Sequence, residues 1–218
     1  MLPDNLLKKI KKNPIITLIG PLFSKPDLHL LPKNSNIILI DGGQKYHSEI
    51  AKHLSIADLL YTVGDGDSST GTMNHLLPKE KDYSDLKFVL QNLPTTVKNI
   101  HLFGFLGGRK DHELINLGEI QQYLTQNSNC TQIQFEDKII GFNSGSHYYD
   151  INDTFSVVTM KHAELAISGK CKYQTNGQSK FYPFSSLGLS NIGFGTVNFK
   201  SNSPFFIFCA LLTLSLLI

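Results

Sequence analysis

Short apolar runs that stop on glycine or aspartate punctuate the first part of this chain. They are Ile15–Ile19, Ile37–Ile40, Leu59–Val63 and Ile100–Phe105. Each is too short for a buried helix and is rich in apolar and β-branched residues, which is the signature of a strand buried on both faces. Between them lie stretches with helical character, Tyr46–Leu54, Ser84–Leu93 and His112–Leu124. Strands that alternate with helices predict βαβ units and a parallel sheet. In such sheets ligands bind beyond the carboxyl ends of the strands. Asp41, Asp65 and Gly107 all fall just past strand ends, so their motifs are expected at one sheet edge.

The pattern changes near Gln132. From there on, short alternating runs (Ile133–Phe135, Phe155–Met160, Thr196–Phe199, Phe205–Phe208) are separated by Gly, Asn and Ser clusters, with no amphipathic helix in sight. The expected fold class is therefore an N-terminal, mostly parallel, Rossmann-like α/β domain over residues 1–137. A C-terminal all-β domain, a β-sandwich, is expected over residues 138–218. No internal repeat or low-complexity linker separates them.

The totals are those of an ordinary globular chain: 218 residues, 41% hydrophobic, 17% charged. A formal net charge of +2 gives no reason to expect nucleic acid as a partner. The three cysteines, Cys130, Cys171 and Cys209, form no CxxC pair, and the eight histidines form no HExxH motif. Neither a zinc site nor a disulfide framework is indicated, and a reducing, cytoplasmic compartment fits. The basic segment Leu6–Lys12 before Ile15–Ile19 imitates a signal peptide. The apolar run is short and flanked by Pro14 and Pro21, so a solvated first helix leading into a strand is expected instead. The apolar stretch Pro204–Ile218 is shorter than the ~20 residues that a transmembrane helix needs. A buried strand followed by a second apolar segment is the expectation there, rather than a membrane anchor.

The chemistry is carried by four acidic motifs. Clustered carboxylates are costly to hold together without a cation, and an oxygen-only set suits Mg²⁺ handling polyphosphate. In Gly64-Asp65-Gly66-Asp67-Ser68 the glycines permit a tight turn that aims both aspartates at one ion. In Lys81-Asp82-Tyr83-Ser84-Asp85, Ser84 or Asp82 caps a helix and Asp85 sits in its first turn, where the dipole favours a carboxylate. That accounts for the acids structurally. The functional reading gives Asp85 to the metal and Lys81 to a phosphate. In Gly107-Gly108-Arg109-Lys110-Asp111-His112, paired glycines allow close backbone approach and Arg109 offers a fork to phosphate where a helix opens. The spacing is not that of a P-loop. Asn116 lies one turn on, and His112 is an orienting or surface residue rather than a base. Asp41-Gly42-Gly43 and Ser190-Asn191 are each common turn sequences when taken alone.

Together and in this order the motifs resemble those of the thiamine pyrophosphokinases. That family shows a strand then Asp-Gly-Gly, a Gly-Asp-x-Asp-Ser motif, a Lys-Asp-x-Thr-Asp motif, a Gly-Gly-Arg-x-Asp-His segment followed by Asn, and a late Ser-Asn. The resemblance runs from about residue 15 to about residue 210. It implies Mg²⁺-dependent transfer of a pyrophosphoryl group from the co-substrate ATP to thiamine, giving thiamine diphosphate and AMP. It also implies a homodimer built through the β domains. By this resemblance Asp65, Asp67 and Asp85 are the metal- and phosphate-positioning acids, with Asp111 near the substrate. Asp41, Gly42, Ser68, Lys81, Gly107, Gly108, Arg109, His112 and Asn116 line the nucleotide side. Ser190 and Asn191 carry the thiamine contact. The chain departs from the pattern at Gly66, where a bulky residue is common, at Ser84 in place of Thr, and at Gln44-Lys45 in place of a small residue and Asn. The tryptophan that animal members stack on thiamine is absent, and Phe205, Phe206 and Ile207 lie in its region. Alternatives are a pyrophosphokinase acting on a pterin alcohol and a non-catalytic protein that binds thiamine diphosphate or nucleotide.

Overall fold

In a computed structural model the described residues are 1–54, 60–67, 73–136 and 139–209. They divide into two compact units, Met1–Glu119 and Ile120–Ile218.

The first unit opens with α1 (Asp4–Lys12), an amphipathic helix with Asp4 in its first turn and lysines in its last, matching the helix dipole at both ends. Unlike the solvated helix expected from sequence, it buries Leu6 and Ile10. The strands β1 (Ile15–Ile19), β2 (Asn36–Ile40), β3 (Leu60–Gly64), β4 (His75–Leu76) and β5 (Asn99–Phe103) run in the order β5-β1-β2-β3-β4. The pairings are parallel, with Leu18 opposite both Ile38 and Leu102, and Leu39 opposite Thr62. Ile16, Leu18, Ile19 and Ile37–Leu39 are fully buried, as continuous apolar runs predict. The helices α2 (His47–Leu54) and α3 (Asp85–Asn92), with the start of α4 (Lys110–Gln126), fall within two residues of the sequence expectation. Because β1 lies between β5 and β2, the chain reverses direction across the sheet there, which makes the carboxyl ends of these strands the natural ligand edge.

The second unit holds the rest of α4 and the strands β6 (Gln132–Phe135), β7 (Ile139–Phe142), β8 (Gly145–Ile151), β9 (Thr154–Val158), β10 (Ala163–Cys171), β11 (Lys180–Phe181), β12 (Asn191–Ser201) and β13 (Phe205–Cys209). The pairings among these strands are antiparallel: β6-β7-β13-β9-β12-β10-β11, with β8 also on β12. Phe155, Phe199, Phe205, Leu165, Ile167 and Val197 form its core, with Phe199 edge-on to Phe155. The whole is a mixed α and β chain: parallel strands first, antiparallel strands after. Residues 210–218, on which the second apolar segment was expected, lie outside the described residues. Among the described residues no helix is long and apolar enough to cross a membrane.

Candidate active site

Parallel pairing brings the ends of β1, β2, β3 and β5 to one edge. Two glycines let the chain turn there in contact with its neighbours. A Cβ on Gly43 would stand 2.2 Å from the Ile19 carbonyl oxygen, and one on Gly64 would stand 2.9 Å from the Asp41 Cα. Asp41, the first residue past β2, has a left-handed backbone (φ 48), which Asp tolerates better than most residues. These constraints place the Asp41 side chain beside the Gly64–Asp67 turn.

One carboxylate oxygen from each of Asp41, Asp65 and Asp67 falls within a 4.8 Å cluster. Asp41 Oδ1 is buried and accepts no hydrogen bond among the described residues. Lys81 Nζ donates to Asp65 Oδ2 at 2.6 Å and lies 3.2 Å from Asp85 Oδ1, so one ammonium is shared by two carboxylates. The hydrogen bond from Lys81 is the main reason that the Asp65 pKa is lowered. Burial raises that of Asp85, against the pull of Lys81. Burial also works to lower the Lys81 pKa, but its bonds to the two acids outweigh this and raise it. The site remains acidic. An oxygen-only donor set with a buried, unpartnered oxygen suits a hard divalent cation such as Mg²⁺. The set expected from sequence was Asp65, Asp67 and Asp85. The structure clusters the first two with Asp41, and Asp85 reaches Asp65 through Lys81.

Side-chain contacts steady this edge, and the Asn74 and Glu119 partners among them had no sequence signal. Asn74 Oδ1 accepts from the Thr62 N–H and Oγ1–H, each at 2.9 Å, and so ties together the two sides of the Gly64–Asp67 turn. The Ser84 hydroxyl accepts the Lys87 N–H at 3.0 Å, capping α3, and donates to the buried Glu119 carboxylate at 2.7 Å. Ser84, not Asp82, is therefore the cap. Gly42 is buried in the turn after β2, and Ser68 lies outside the described residues.

The Gly107–His112 segment follows β5. Gly107 (φ 92) has open space around a hypothetical Cβ, so glycine is needed there for backbone conformation alone. Its N–H donates to Glu113 Oε1 at 2.5 Å, a partner that sequence reasoning missed. Arg109 grips Asp111 with two bonds, Nη2 to Oδ2 at 2.5 Å and Nε to Oδ1 at 3.1 Å, and the pair is exposed. The Arg109 bond lowers the Asp111 pKa. His112 is exposed in the first turn of α4, and Asn116 Nδ2 donates to the Phe105 carbonyl at 3.0 Å, fixing the loop. Two exposed leucines rim the edge, Leu22 beside Gly108 and Leu76 beside Gly66.

In the second unit Ser190 is exposed with φ 56, and its N–H donates to Ser156 Oγ. Asn191 is buried. Its amide accepts from the Tyr173 and Ile192 N–H groups and donates to the Tyr173 carbonyl at 2.6 Å, so it is committed to holding the backbone. Phe205, Phe206 and Ile207, which stand where a ring-stacking tryptophan was looked for, are fully buried in β13 and are not available to a ligand. The buried strand expected there is present as β13, and it is buried on both faces.

Solved structures with this fold include thiamine pyrophosphokinases. The enzyme from Bacillus subtilis superposes with a TM-score of 0.70 at 19% identity, over 89% of this chain and 98% of that one. That from Candida albicans gives 0.71 at 15% identity, over 90% and 88%. The yeast enzyme gives 0.60 at 12% identity, over 88% and 84%. No family model and no curated protein matches the sequence. The chain is thus an acidic-edged mixed α and β protein. Its fold is that of the thiamine pyrophosphokinases.

Proposed function

We propose that this chain transfers the terminal pyrophosphoryl group of ATP to the hydroxyethyl oxygen of thiamine, with Mg²⁺, giving thiamine diphosphate and AMP. The observation that carries this reading is the Asp41, Asp65 and Asp67 cluster with Lys81, set at the carboxyl edge of the parallel sheet. In the reaction the alcohol oxygen bonds to the β-phosphorus, the bond from that phosphorus to the α,β-bridging oxygen breaks, and AMP leaves with that oxygen. The alcohol proton passes to solvent or to a nearby carboxylate. Such chemistry demands positioning and charge neutralisation more than a strong base.

Asp41, Asp65 and Asp67 would hold Mg²⁺, which would neutralise charge on the polyphosphate. Lys81 holds Asp65 in place and presents its charge to a phosphate oxygen. Arg109 exchanges Asp111 for phosphate, which frees Asp111 to orient the alcohol. Leu22 and Leu76 offer apolar surface to a flat ring. Ser190 contributes its hydroxyl to thiamine, whereas Asn191 shapes the Ser190 turn. The exposed side chains of Tyr182, Phe184, Leu187, Leu189 and Phe194 in the second unit favour a homodimer formed there. Three free, buried cysteines suit a cytoplasmic setting.

The test is AMP release from ATP and Mg²⁺ by the purified chain, with and without thiamine. Thiamine-dependent AMP with equal thiamine diphosphate is expected. ADP in place of AMP, or turnover with a pterin alcohol alone, overturns the reading. No turnover with tight binding of thiamine diphosphate makes the chain a binding protein.

A further inference from the structure

Glu119 lies on α4, two turns past the Gly107–His112 segment, and is buried. A carboxyl group in such a place loses hydration, and burial raises its pKa. An apolar residue would pack at that position at lower cost. What the carboxyl does there is specific. It accepts the Ser84 hydroxyl proton at 2.7 Å. A serine hydroxyl turns freely, and only some orientations aim a lone pair at the backbone N–H it must cap. With its proton held by Glu119, the Ser84 oxygen faces the Lys87 N–H, as observed at 3.0 Å. The next residue is Asp85, which shares Lys81 with Asp65. Glu119 therefore joins the helix that follows the glycine-arginine segment to the first turn of the helix that bears Asp85.

We propose that Glu119 is a positioning residue. Through Ser84 it sets the start of α3, and so the Asp85–Lys81–Asp65 chain that shapes the acidic site. This rests on the pyrophosphoryl-transfer reading of that site. If the start of α3 drifts, Asp85 releases Lys81. The lysine then pairs with Asp65 alone and competes with a divalent cation for its oxygens.

The experiment compares Glu119→Gln, which keeps an acceptor oxygen, with Glu119→Met, which removes it at similar volume. Thermal melts first confirm that both are folded. Glu119→Gln is expected within about twofold of the parent in kcat and in KM for ATP. Glu119→Met is expected to lose about tenfold in kcat, with KM for thiamine unchanged. In an Asp85→Asn background the same Met substitution should cost less than about twofold, because its route is already cut. Parent-like kcat in Glu119→Met, equal loss in the Gln and Met variants, or a full multiplicative loss on Asp85→Asn overturns the proposal. If Glu119→Met does not fold, Ser84→Ala takes its place. Alanine removes the hydroxyl that joins Glu119 to the Lys87 N–H and cannot cap α3, so the same kinetic loss is expected there and parent-like kcat refutes the route. If the parent makes no thiamine-dependent AMP, the functional reading falls. Mn²⁺ affinity by electron paramagnetic resonance then decides Glu119 separately. An about tenfold weaker affinity in the Met variant, but not in Gln, sustains its role, and equal affinities end it.

Discussion

Asp41 shows how a single residue can serve both backbone and site. Its left-handed conformation is one that Asp and Asn adopt more readily than other residues with a side chain. Asn therefore keeps the turn while removing the charge. Asp41→Asn should melt at or slightly above the parent temperature, because a carboxylate is withdrawn from an acidic cluster, and should lose about tenfold or more in Mn²⁺ affinity. Calorimetric titration checks this, and unchanged affinity would remove Asp41 from the donor set. Lys81 makes the complementary case. The lowered Asp65 pKa means that its ion pair adds stability above the unfolded carboxylate value, and that this is lost as pH falls through the lower folded value. The raised Asp85 pKa acts oppositely: its contribution is present in acid and declines as pH rises through the folded value. Lys81→Met removes the favourable partner from both. It should destabilise the protein at pH 7 by about 2 kcal/mol after allowance for solvent screening. Its melting temperature should rise from pH 7 to pH 5, and added Mg²⁺ should stabilise it. Parallel pH profiles for parent and variant would show that Lys81 does not neutralise this pair.

Elements meet at this edge through backbone, and glycine is what lets them. The turn after β2 lies so close to the end of β1 that a Gly43 Cβ would collide with the Ile19 carbonyl oxygen at 2.2 Å and press on that of Gly20 at 3.2 Å. Gly43→Ala should cost about 3 kcal/mol and weaken Mn²⁺ binding together, since the turn cannot retreat without carrying Asp41 with it. Melting and titration on one preparation check this, and parent-like values in both would show that the turn has room to yield. The same geometry explains what was legible in the sequence. Strands β1, β2, β3 and β5 announce themselves as unbroken apolar runs because both their faces are buried. Strand β8 does not, because Tyr149 and Ile151 point inward from a run of Gly, Ser, His and Asp whose other face is exposed. Strand β4 is only two residues long. Asp65 and Asp67 were legible because glycines frame them. Asp41 looked weak because Asp-Gly-Gly is an ordinary turn, and only the pairing of β2 with β3 places it among the acids. Glu119 carried no signal at all, since its partner stands 35 residues away in sequence.

Across the whole chain the three thiols offer a readout independent of the acidic edge, for all three lie in the second unit and all are buried and free. Burial raises the Cys130 pKa to about 12, and that of Cys209 to about 11. Burial also raises Cys171, against an opposing hydrogen bond with Asn191. The thiolate is the reactive form, so each upward unit costs a factor of ten in reactive species. In the native protein at pH 8, Cys130 and Cys209 should react with a disulfide reagent at least about a hundredfold more slowly than in urea. Cys171 should be first to label, because the Asn191 hydrogen bond favours its thiolate against the rise from burial. Mass spectrometry of quenched samples gives the order directly. If Cys130 labels first, the β6–β7 end of the unit is opening ahead of β10. If all three label together at the urea rate, the antiparallel unit is not folded as described. Protection of Cys209 also reports on β13, whose Phe205 and Ile207 lie in the same core as Cys209. A chain in which those residues turned outward to meet a ligand ring would expose Cys209 and lose that protection.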